Sequence, residues 1–202
     1  MTTERALRLF VAIELPEAWL RALGELQERM QAALAEDEAL AGVRVRWVRP
    51  EGIHLTLKFI GEVAPERLPP IRDQIALAVP QAPEIELALG RTASFSGRRA
   101  PRVVWAGVGT QQPDVLRRLA EDIETWLAAA GVPRERRGFA PHLTLARLPN
   151  DLADGLRARV ASVTGAVESP DVAPFKIEHV SLMQSFLGPG GARYERLGWW
   201  PG

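Results

Sequence analysis

The sequence contains no cysteine, and lysine occurs only at positions 58 and 176 of its 202 residues. Without cysteine there is no disulfide framework, no thiolate nucleophile and no cysteine-type zinc site. No apolar run approaches the roughly 20 residues that a membrane-spanning helix needs, and the run from Leu9 to Ile13 is too short for a secretory signal. We therefore expect a cytoplasmic protein without membrane contact.

A surplus of charge is also lacking, because 25 basic and 25 acidic residues cancel. Proteins that coat long nucleic acids carry a basic surplus, so any contact with nucleic acid should be local. The hydrophobic fraction of 47% is that of a globular protein. A chain of this length can bury one sizeable core or form two small lobes that share an interface.

Histidine is scarce, yet two of the 3 histidines lie in one repeated tetrapeptide. His-Leu-Thr-Leu occurs at residues 54–57 and again at residues 142–145. Side chains of a strand alternate between its faces, so each copy places an imidazole and a hydroxyl on one face. An imidazole can accept or donate a proton near neutral pH. Two converging copies would supply an acid and a base, which indicates an enzyme.

The segments around the motifs repeat as well. Each half predicts the order strand, helix, motif strand, helix, and the motif copies lie 88 residues apart. The predicted strands are 8–15, 43–48, 53–60, 85–89, 103–108, 139–148, 175–186 and 194–197, and the predicted helices are 16–35, 65–79, one from 113 that Gly131 ends, and 152–163. We therefore predict an α+β fold of two pseudo-symmetric lobes, with antiparallel-rich sheets inside, helices outside and a central cleft where the sheets present the motifs.

The square of His54, Thr56, His142 and Thr144 suits a phosphodiester. One imidazole would take a proton from the nucleophile while the other protonates the leaving oxygen, and the hydroxyls would donate to the non-bridging oxygens. A single His-x-Thr in a strand is more often a packing residue. The duplication argues against packing here, because burying four polar groups is unfavourable unless they meet a ligand or each other.

Four further side chains are candidates for substrate contact. The guanidinium of Arg147 suits a phosphate, but strict alternation places this side chain on the face opposite to His142 and Thr144. Arg147 can contact the phosphate only if a twist or a bulge occurs at the strand end. Lys58 shares the face of His54 by alternation, so it is a candidate for substrate contact. The alternative, equally favoured, is that Lys58 is simply solvated at the end of the strand. Phe10 and Trp47 are candidates for stacking on a terminal base, with core packing as the alternative.

Two other features leave alternatives open. The loop 134–137, with arginine at 134, 136 and 137, either holds an RNA backbone or is simply solvated. The third histidine, His179, lies outside the motif, so we expect a structural role. A metal site of His54, His142 and His179 is weakened by the absence of an acidic or second histidine partner at ligand spacing. We therefore expect no metal and no cofactor.

Longer stretches around the motifs resemble a known superfamily. These stretches are RLFVAIELP at 8–16, RWV at 46–48, HLTLKFIG at 54–61, PHLTLAR at 141–147 and SLMQS at 181–185, with Tyr194 and Leu197. They resemble the 2H phosphoesterase superfamily and, within it, the bacterial and archaeal RNA 2′,3′-cyclic phosphodiesterases, once described as 2′-5′ RNA ligases. The resemblance implies a single bilobal domain over residues 1–202 that opens a 2′,3′-cyclic phosphate to a 2′-phosphate without a metal.

The resemblance also assigns roles to residues. It implies His142 as base and His54 as acid, Thr56 and Thr144 as phosphate ligands, and often an arginine at the position of Arg147. The expected partner is RNA with a 2′,3′-cyclic phosphate end or a cyclic nucleotide, and the expected state is a monomer. The neutral chain gives no reason to prefer tRNA fragments over mononucleotides. The alternatives are 2′-5′ ligation by the reverse reaction and a non-catalytic module that binds RNA ends.

Overall fold

The structure, a computed structural model, describes residues 6–79, 84–94, 101–188 and 191–201. Within these ranges there are nine strands and four α-helices. The strands are β1 Leu7–Glu14, β2 Arg46–Trp47, β3 His54–Val63, β4 Glu86–Ser94, β5 Val103–Gly109, β6 His142–Arg147, β7 Phe175–Lys176, β8 His179–Gly188 and β9 Gly191–Pro201, and the helices are α1 Glu17–Ala35, α2 Leu68–Ala78, α3 Pro113–Ala129 and α4 Asp154–Gly165. No helix among the described residues is long and apolar enough to cross a membrane.

The strands form one antiparallel sheet that curls into a half-barrel. Its order is β7-β4-β5-β6-β3-β1-β8-β9, and β2 pairs with β6 outside this path. The two motif strands, β3 and β6, are neighbours at its centre, where Leu55 is paired with Leu143. The predicted α+β fold with antiparallel strands is confirmed. The two expected sheets are joined at this central pair into a single sheet.

The four helices share one hydrophobic core with one face of the sheet. Leucines 55, 57, 143 and 145 of the motif strands are buried in this core together with apolar residues of all four helices. Helix α2 packs against α3, and α1 packs against α4. Gln27 of α1 donates hydrogen bonds to the carbonyl oxygens of Val48 and Leu145, at 2.8 and 2.9 Å. The helices therefore hold both motif strands from one side and leave the other face of the sheet, here called the open face, for function.

Several predicted strands have other bounds in the structure, and β4 and β9 are longer than the predicted 85–89 and 194–197. The segment 175–186 is two strands, because β7 pairs with β4 in one half of the sheet while β8 pairs with β1 in the other half. The apolar alternation changes phase at this crossing, from residues 175 and 177 to residues 180 and 182, because Glu178 and His179 are consecutive polar residues. The segment 43–48 contributes only the two residues of β2.

Candidate active site

The motif strands bring their polar side chains together in a crossed arrangement. Because β3 and β6 are antiparallel and Leu55 is paired with Leu143, the register places His54 beside Thr144 and Thr56 beside His142. All four side chains are half-buried on the open face, while the motif leucines are fully or almost fully buried on the helix side. The alternation predicted for both motifs is confirmed. Each imidazole thus has the hydroxyl of the other motif as its cross-strand neighbour.

Each motif strand then carries a bulge at the same place. In β3, Thr56 is paired with Ala12 and Lys58 with Val11, so Leu57 is the extra residue. In β6, Thr144 is paired with Trp105 and Ala146 with Val104, so Leu145 is the extra residue. A bulge inserts one residue and reverses the facing of every residue that follows it. The residues directly after the bulges, up to Phe59 in β3 and Arg147 in β6, therefore face opposite to what strict alternation predicts.

The bulge in β6 returns Arg147 to the open face. Leu145 and Ala146 are consecutive buried residues, and Arg147 after them is exposed. Burial lowers the pKa of His54 and raises the pKa of Tyr194, and the Arg147 guanidinium is close enough to lower the first further and to oppose the rise of the second. The structure thus supplies the bulge on which the candidacy of Arg147 depended.

The bulge in β3 takes Lys58 away from the open face, so the prediction that it shares the face of His54 is wrong. Lys58 is only 1% exposed, and its Nζ lies 2.6 Å from Oε1 of Glu124 in α3. The same ammonium donates a hydrogen bond to the carbonyl oxygen of Pro133 at 2.8 Å. Lys58 therefore fastens the motif strand to α3 and to the loop that precedes the second motif.

The two imidazoles are oriented in the same way. Nδ1 of His54 lies 2.8 Å from the carbonyl oxygen of Gly52, and Nδ1 of His142 lies 2.8 Å from that of Ala140. A carbonyl oxygen only accepts hydrogen bonds, so Nδ1 carries the proton in the neutral ring. In both rings Nε2 is then the nitrogen that exchanges a proton with a ligand. The sequence gives little indication of this feature, because the acceptor is a backbone carbonyl two residues before each histidine and does not depend on the side chain there.

His54 lies among aromatic rings. The ring of Phe10 stacks on it with centroids 4.7 Å apart, and the edge of Tyr194 meets it at 5.0 Å. Burial lowers the pKa of His54 from 6.5 to about 4, against the raising effects of the Gly52 carbonyl and Glu14; Arg147 and His142 lower it further. Without a bound anion, His54 is therefore neutral at pH 7.

The structure does not bring the two predicted base-stacking residues to an exposed position beside the histidines. Phe10 is 2% exposed, and it contacts His54, so its ring supports the imidazole. Trp47 packs against the main core and lines a cavity with α1 residues and Val160 of α4, on the helix side. An aromatic ring that sequence reasoning missed takes the exposed place. Phe59, 53% exposed, follows the bulge in β3 and lies 6.1 Å from the ring of Phe10.

A pocket of about 600 Å³ opens beside Thr56 and His142. Its other walls are Phe59, the face of α3 from residue 120 to residue 125, and the loop of residues 134–140. We call it the loop pocket. It connects two of the four motif side chains with an exposed aromatic ring and three arginines, so the square of motif side chains continues into a larger space.

His179 belongs to a separate cluster on the open face. Oε2 of Glu14 accepts hydrogen bonds from Ser181 at 2.6 Å and Arg196 at 3.0 Å, and lies 3.3 Å from Nε2 of His179. Although burial raises the pKa of Glu14, the bonds from Ser181, His179 and Arg196 lower it overall. Among the described residues there is no group of three His, Asp or Glu side chains placed to hold a metal ion. The conceivable site of three histidines is thus not formed.

Together these side chains offer acid, base and anion-binding groups around one point. Two imidazoles present Nε2, two hydroxyls can donate hydrogen bonds, and one guanidinium adds positive charge. Such a set can bind a tetrahedral anion and move protons on two sides of it.

Comparison with known proteins identifies similar chains. The sequence pattern of the family described as LigT-like phosphoesterase matches residues 13–105 and 108–194. The chain is 34% identical over 167 residues to the RNA 2′,3′-cyclic phosphodiesterase of Aeropyrum pernix, covering 82% of this chain and 91% of that one. It is 28% identical over 187 residues to the protein of the same name from Methanothermobacter thermautotrophicus, covering 93% and 94%.

A solved structure shares the fold over nearly the whole length. The crystal structure of E. coli LigT in its apo form aligns with a TM-score of 0.67 and 26% identity, covering 98% of each chain. The same E. coli protein has also been solved in complex with 3′-AMP.

Proposed function

Since this chain belongs to the LigT-like phosphoesterase family, we propose that it hydrolyses 2′,3′-cyclic phosphodiester ends of RNA or nucleotides to 2′-phosphomonoesters. The observation that carries this proposal is the crossed square, in which each imidazole lies beside the hydroxyl of the other motif. Arg147 at the end of β6 adds the positive charge that a phosphate requires. We propose that residues 1–202 form a single 2H phosphoesterase domain of two similar lobes.

The substrate class is supported by the relatives and by the loop pocket. The proteins of A. pernix and M. thermautotrophicus are named RNA 2′,3′-cyclic phosphodiesterases, and E. coli LigT binds the nucleotide 3′-AMP. In this chain the exposed ring of Phe59 stands beside the square, where it can stack on the base of the terminal nucleotide.

The proposed reaction uses only this chain's residues and water. One imidazole Nε2 takes a proton from water, whose oxygen forms a bond to phosphorus while the bond from phosphorus to the 3′ oxygen breaks. The second imidazole, as imidazolium, gives its proton to that leaving oxygen. Thr56 and Thr144 donate hydrogen bonds to the non-bridging oxygens, and Arg147 balances their charge. The product is a 2′-phosphate beside a free 3′ hydroxyl.

The resemblance makes His142 the base and His54 the acid. Because the pKa of His54 is about 4 in the ligand-free protein, His54 can act as acid at pH 7 only if the bound phosphate raises this pKa. A phosphate held between Arg147 and the two rings provides the negative charge for such a shift. The assignment therefore predicts that His54 takes up its proton together with the substrate.

The test is to incubate the protein with 2′,3′-cyclic AMP and with a cyclic-phosphate oligonucleotide in excess EDTA. We expect release of 2′-phosphate products, with kcat reduced by at least about a hundredfold in His54→Ala and in His142→Ala. His179→Ala, which removes the histidine outside the motifs, should retain activity. Loss of the wild-type activity in EDTA would refute metal independence. Unchanged turnover in both motif variants would refute the paired-histidine mechanism, and tight binding without turnover would identify an RNA-end binding module.

A further inference from the structure

The loop pocket is larger than the square requires. In the proposed reaction the square holds one phosphate, whereas the pocket of about 600 Å³ continues from Thr56 and His142 along Phe59 to the loop of residues 134–140. Pockets of this size are typical of sites that enclose a small organic ligand. The space beside the square therefore suits more of the substrate than its cyclic phosphate.

The start of the loop is held in place by its neighbours. Lys58 Nζ donates to the carbonyl oxygen of Pro133 at 2.8 Å, and Arg134 donates to Oγ1 of Thr125 at 3.1 Å. Glu135 accepts a hydrogen bond from the backbone N–H of Phe59 at 3.1 Å, and its own N–H donates to Glu124 at 3.3 Å. The loop is thus fastened to β3 and to α3 on both sides of the pocket, which preorganises the residues that follow.

The carboxylates that line the pocket are already engaged. Glu124 pairs with Lys58 at 2.6 Å, Glu121 pairs with Arg117 at 3.1 Å, and Glu135 binds the N–H of Phe59. Arg136 and Arg137 line the same pocket, and both are exposed. Within the part of the chain that the structure describes, neither has a carboxylate partner within 4.0 Å. The pocket therefore presents two uncompensated guanidinium groups.

We propose that Arg136 and Arg137 bind the RNA backbone phosphates that precede the cyclic end, so that the enzyme prefers oligonucleotides to cyclic mononucleotides. Guanidinium groups bind phosphates through two parallel hydrogen bonds, and an exposed aromatic ring beside them suits a single-stranded RNA. The proposal rests on the proposed function, because it extends the same substrate away from the square. In this proposal the loop determines the preference for an RNA end over a free cyclic nucleotide.

The test compares two substrates in the double variant Arg136→Ala/Arg137→Ala. We expect kcat/KM for a trinucleotide with a 2′,3′-cyclic phosphate end to fall by about tenfold, while kcat/KM for 2′,3′-cyclic AMP stays within about twofold. The slope of log(kcat/KM) against log salt for the trinucleotide is negative and should become less steep by about 1.4, since each single-strand phosphate contact contributes about 0.7 to its magnitude. The matched control is Arg21→Ala/Arg29→Ala, which removes two exposed arginines from α1.

Binding separates this proposal from the proposed function. A labelled trinucleotide that ends in a 2′-phosphate should bind the loop variant about tenfold more weakly than the wild type and the control. Two outcomes would overturn the role of the loop even if the wild type is active. One is an equal loss of kcat/KM for the trinucleotide and for 2′,3′-cyclic AMP, and the other is an unchanged ratio of these two kcat/KM values with an unchanged salt slope. A wild type that releases 2′-phosphate from neither substrate would refute the proposed function, and the binding comparison would still decide the role of the arginines.

Discussion

Phe59 and Arg147 hold equivalent positions in the two motif strands. Each lies five residues after its motif histidine, and each follows a bulge that leaves two consecutive buried residues before it. The two halves of the sheet thus present the same imidazole and hydroxyl and then differ, with an aromatic ring in one half and a guanidinium in the other. This difference makes the otherwise twofold site asymmetric. The negative charge of a phosphate is favoured at the Arg147 end, and stacking of a nucleobase is favoured at the Phe59 end.

Removing the charge of Arg147 should weaken catalysis more than folding. We expect kcat/KM of Arg147→Ala for 2′,3′-cyclic AMP to fall about 10- to 100-fold, since hydrogen bonds to a charged group contribute roughly 1.5–3 kcal/mol. Arg147→Lys should be intermediate, because it keeps the charge and loses the planar fork. Steady-state kinetics check this, with Arg29→Ala on α1 as the control. A loss of less than twofold in Arg147→Ala would remove Arg147 from the proposed site.

The face of each side chain in the polar square could be predicted from the sequence because it depends only on alternation, whereas the crossed neighbours depend on the pairing of β3 with β6. His54 and Thr56 share a face whether or not the strand bulges later, and the same holds for His142 and Thr144. The antiparallel fold followed from the repeated order of strands and helices. These features are encoded locally, in the period of the hydrophobic residues.

The residues beyond the motifs could not be predicted in the same way. A bulge is a property of two paired strands, so the sequence of β3 alone gave Lys58 the wrong face and left Phe59 unnoticed. Phe10 and Trp47 were candidates as aromatic residues near the motifs, but burial against His54 and against α1 depends on the packing of distant segments. The cluster of Glu14 with Ser181 and Arg196 joins residues that are far apart in the chain.

The pKa of His54 can be measured directly in the ligand-free protein. Burial lowers it to about 4, so NMR titration should show a neutral His54 ring from pH 8 down to about pH 5. Saturating inorganic phosphate should raise this pKa, because the anion favours the charged ring. Arg147→Ala should raise it as well, since one nearby positive charge is removed. A titration midpoint of His54 near 6.5 without phosphate would contradict the buried environment described above.

The same shift makes the folded protein sensitive to acid. The histidine of the unfolded chain takes up its proton near pH 6.5, whereas folded His54 does so only near pH 4. The stability that neutral His54 contributes is therefore complete above pH 6.5 and is lost as the pH falls from 6.5 towards 4. Urea unfolding at pH 7.5 and pH 5.0 should show a smaller difference in His54→Gln than in the wild type. An equal difference in His54→Gln and in the wild type would contradict this account.

Lys58 and Glu124 should be coupled energetically. Lys58→Met removes the ammonium from the largely buried Glu124 carboxylate, which keeps only the N–H of Glu135, and from the Pro133 carbonyl, so we expect a loss of about 2–3 kcal/mol in the free energy of unfolding. Once Glu124→Gln has removed the carboxylate charge, Lys58→Met should lower the free energy of unfolding by less than it does in the wild type. Urea unfolding of the four proteins measures the coupling, and Lys176→Met, which breaks the exposed pair with Glu84, should leave the midpoint unchanged. Strict additivity of the two changes would contradict a direct interaction.

Gly52 connects the orientation of His54 with the ring of Tyr194. A Cβ at this position would lie 3.3 Å from Cε2 of Tyr194 and 3.7 Å from Cγ1 of Val48, so the tyrosine must move by a few tenths of an ångström. Tyr194 packs edge-on against His54, and the Gly52 carbonyl accepts the bond from its Nδ1. We therefore expect Gly52→Ala to lower kcat by about fivefold while KM changes little, because the imidazole is displaced from its reacting position.

The control for this change is Gly155→Ala in α4, where nothing lies within 4 Å of the added Cβ. Alanine stabilises a helix more than glycine does. The free energy of unfolding of this variant, measured with urea, should therefore be higher by about 0.5–1 kcal/mol, with kcat unchanged. The His54 ring signals in an NMR spectrum should shift in Gly52→Ala and stay in place in Gly155→Ala. If kcat of Gly52→Ala remains within error of the wild type while the ring signals shift, the position of His54 does not limit turnover.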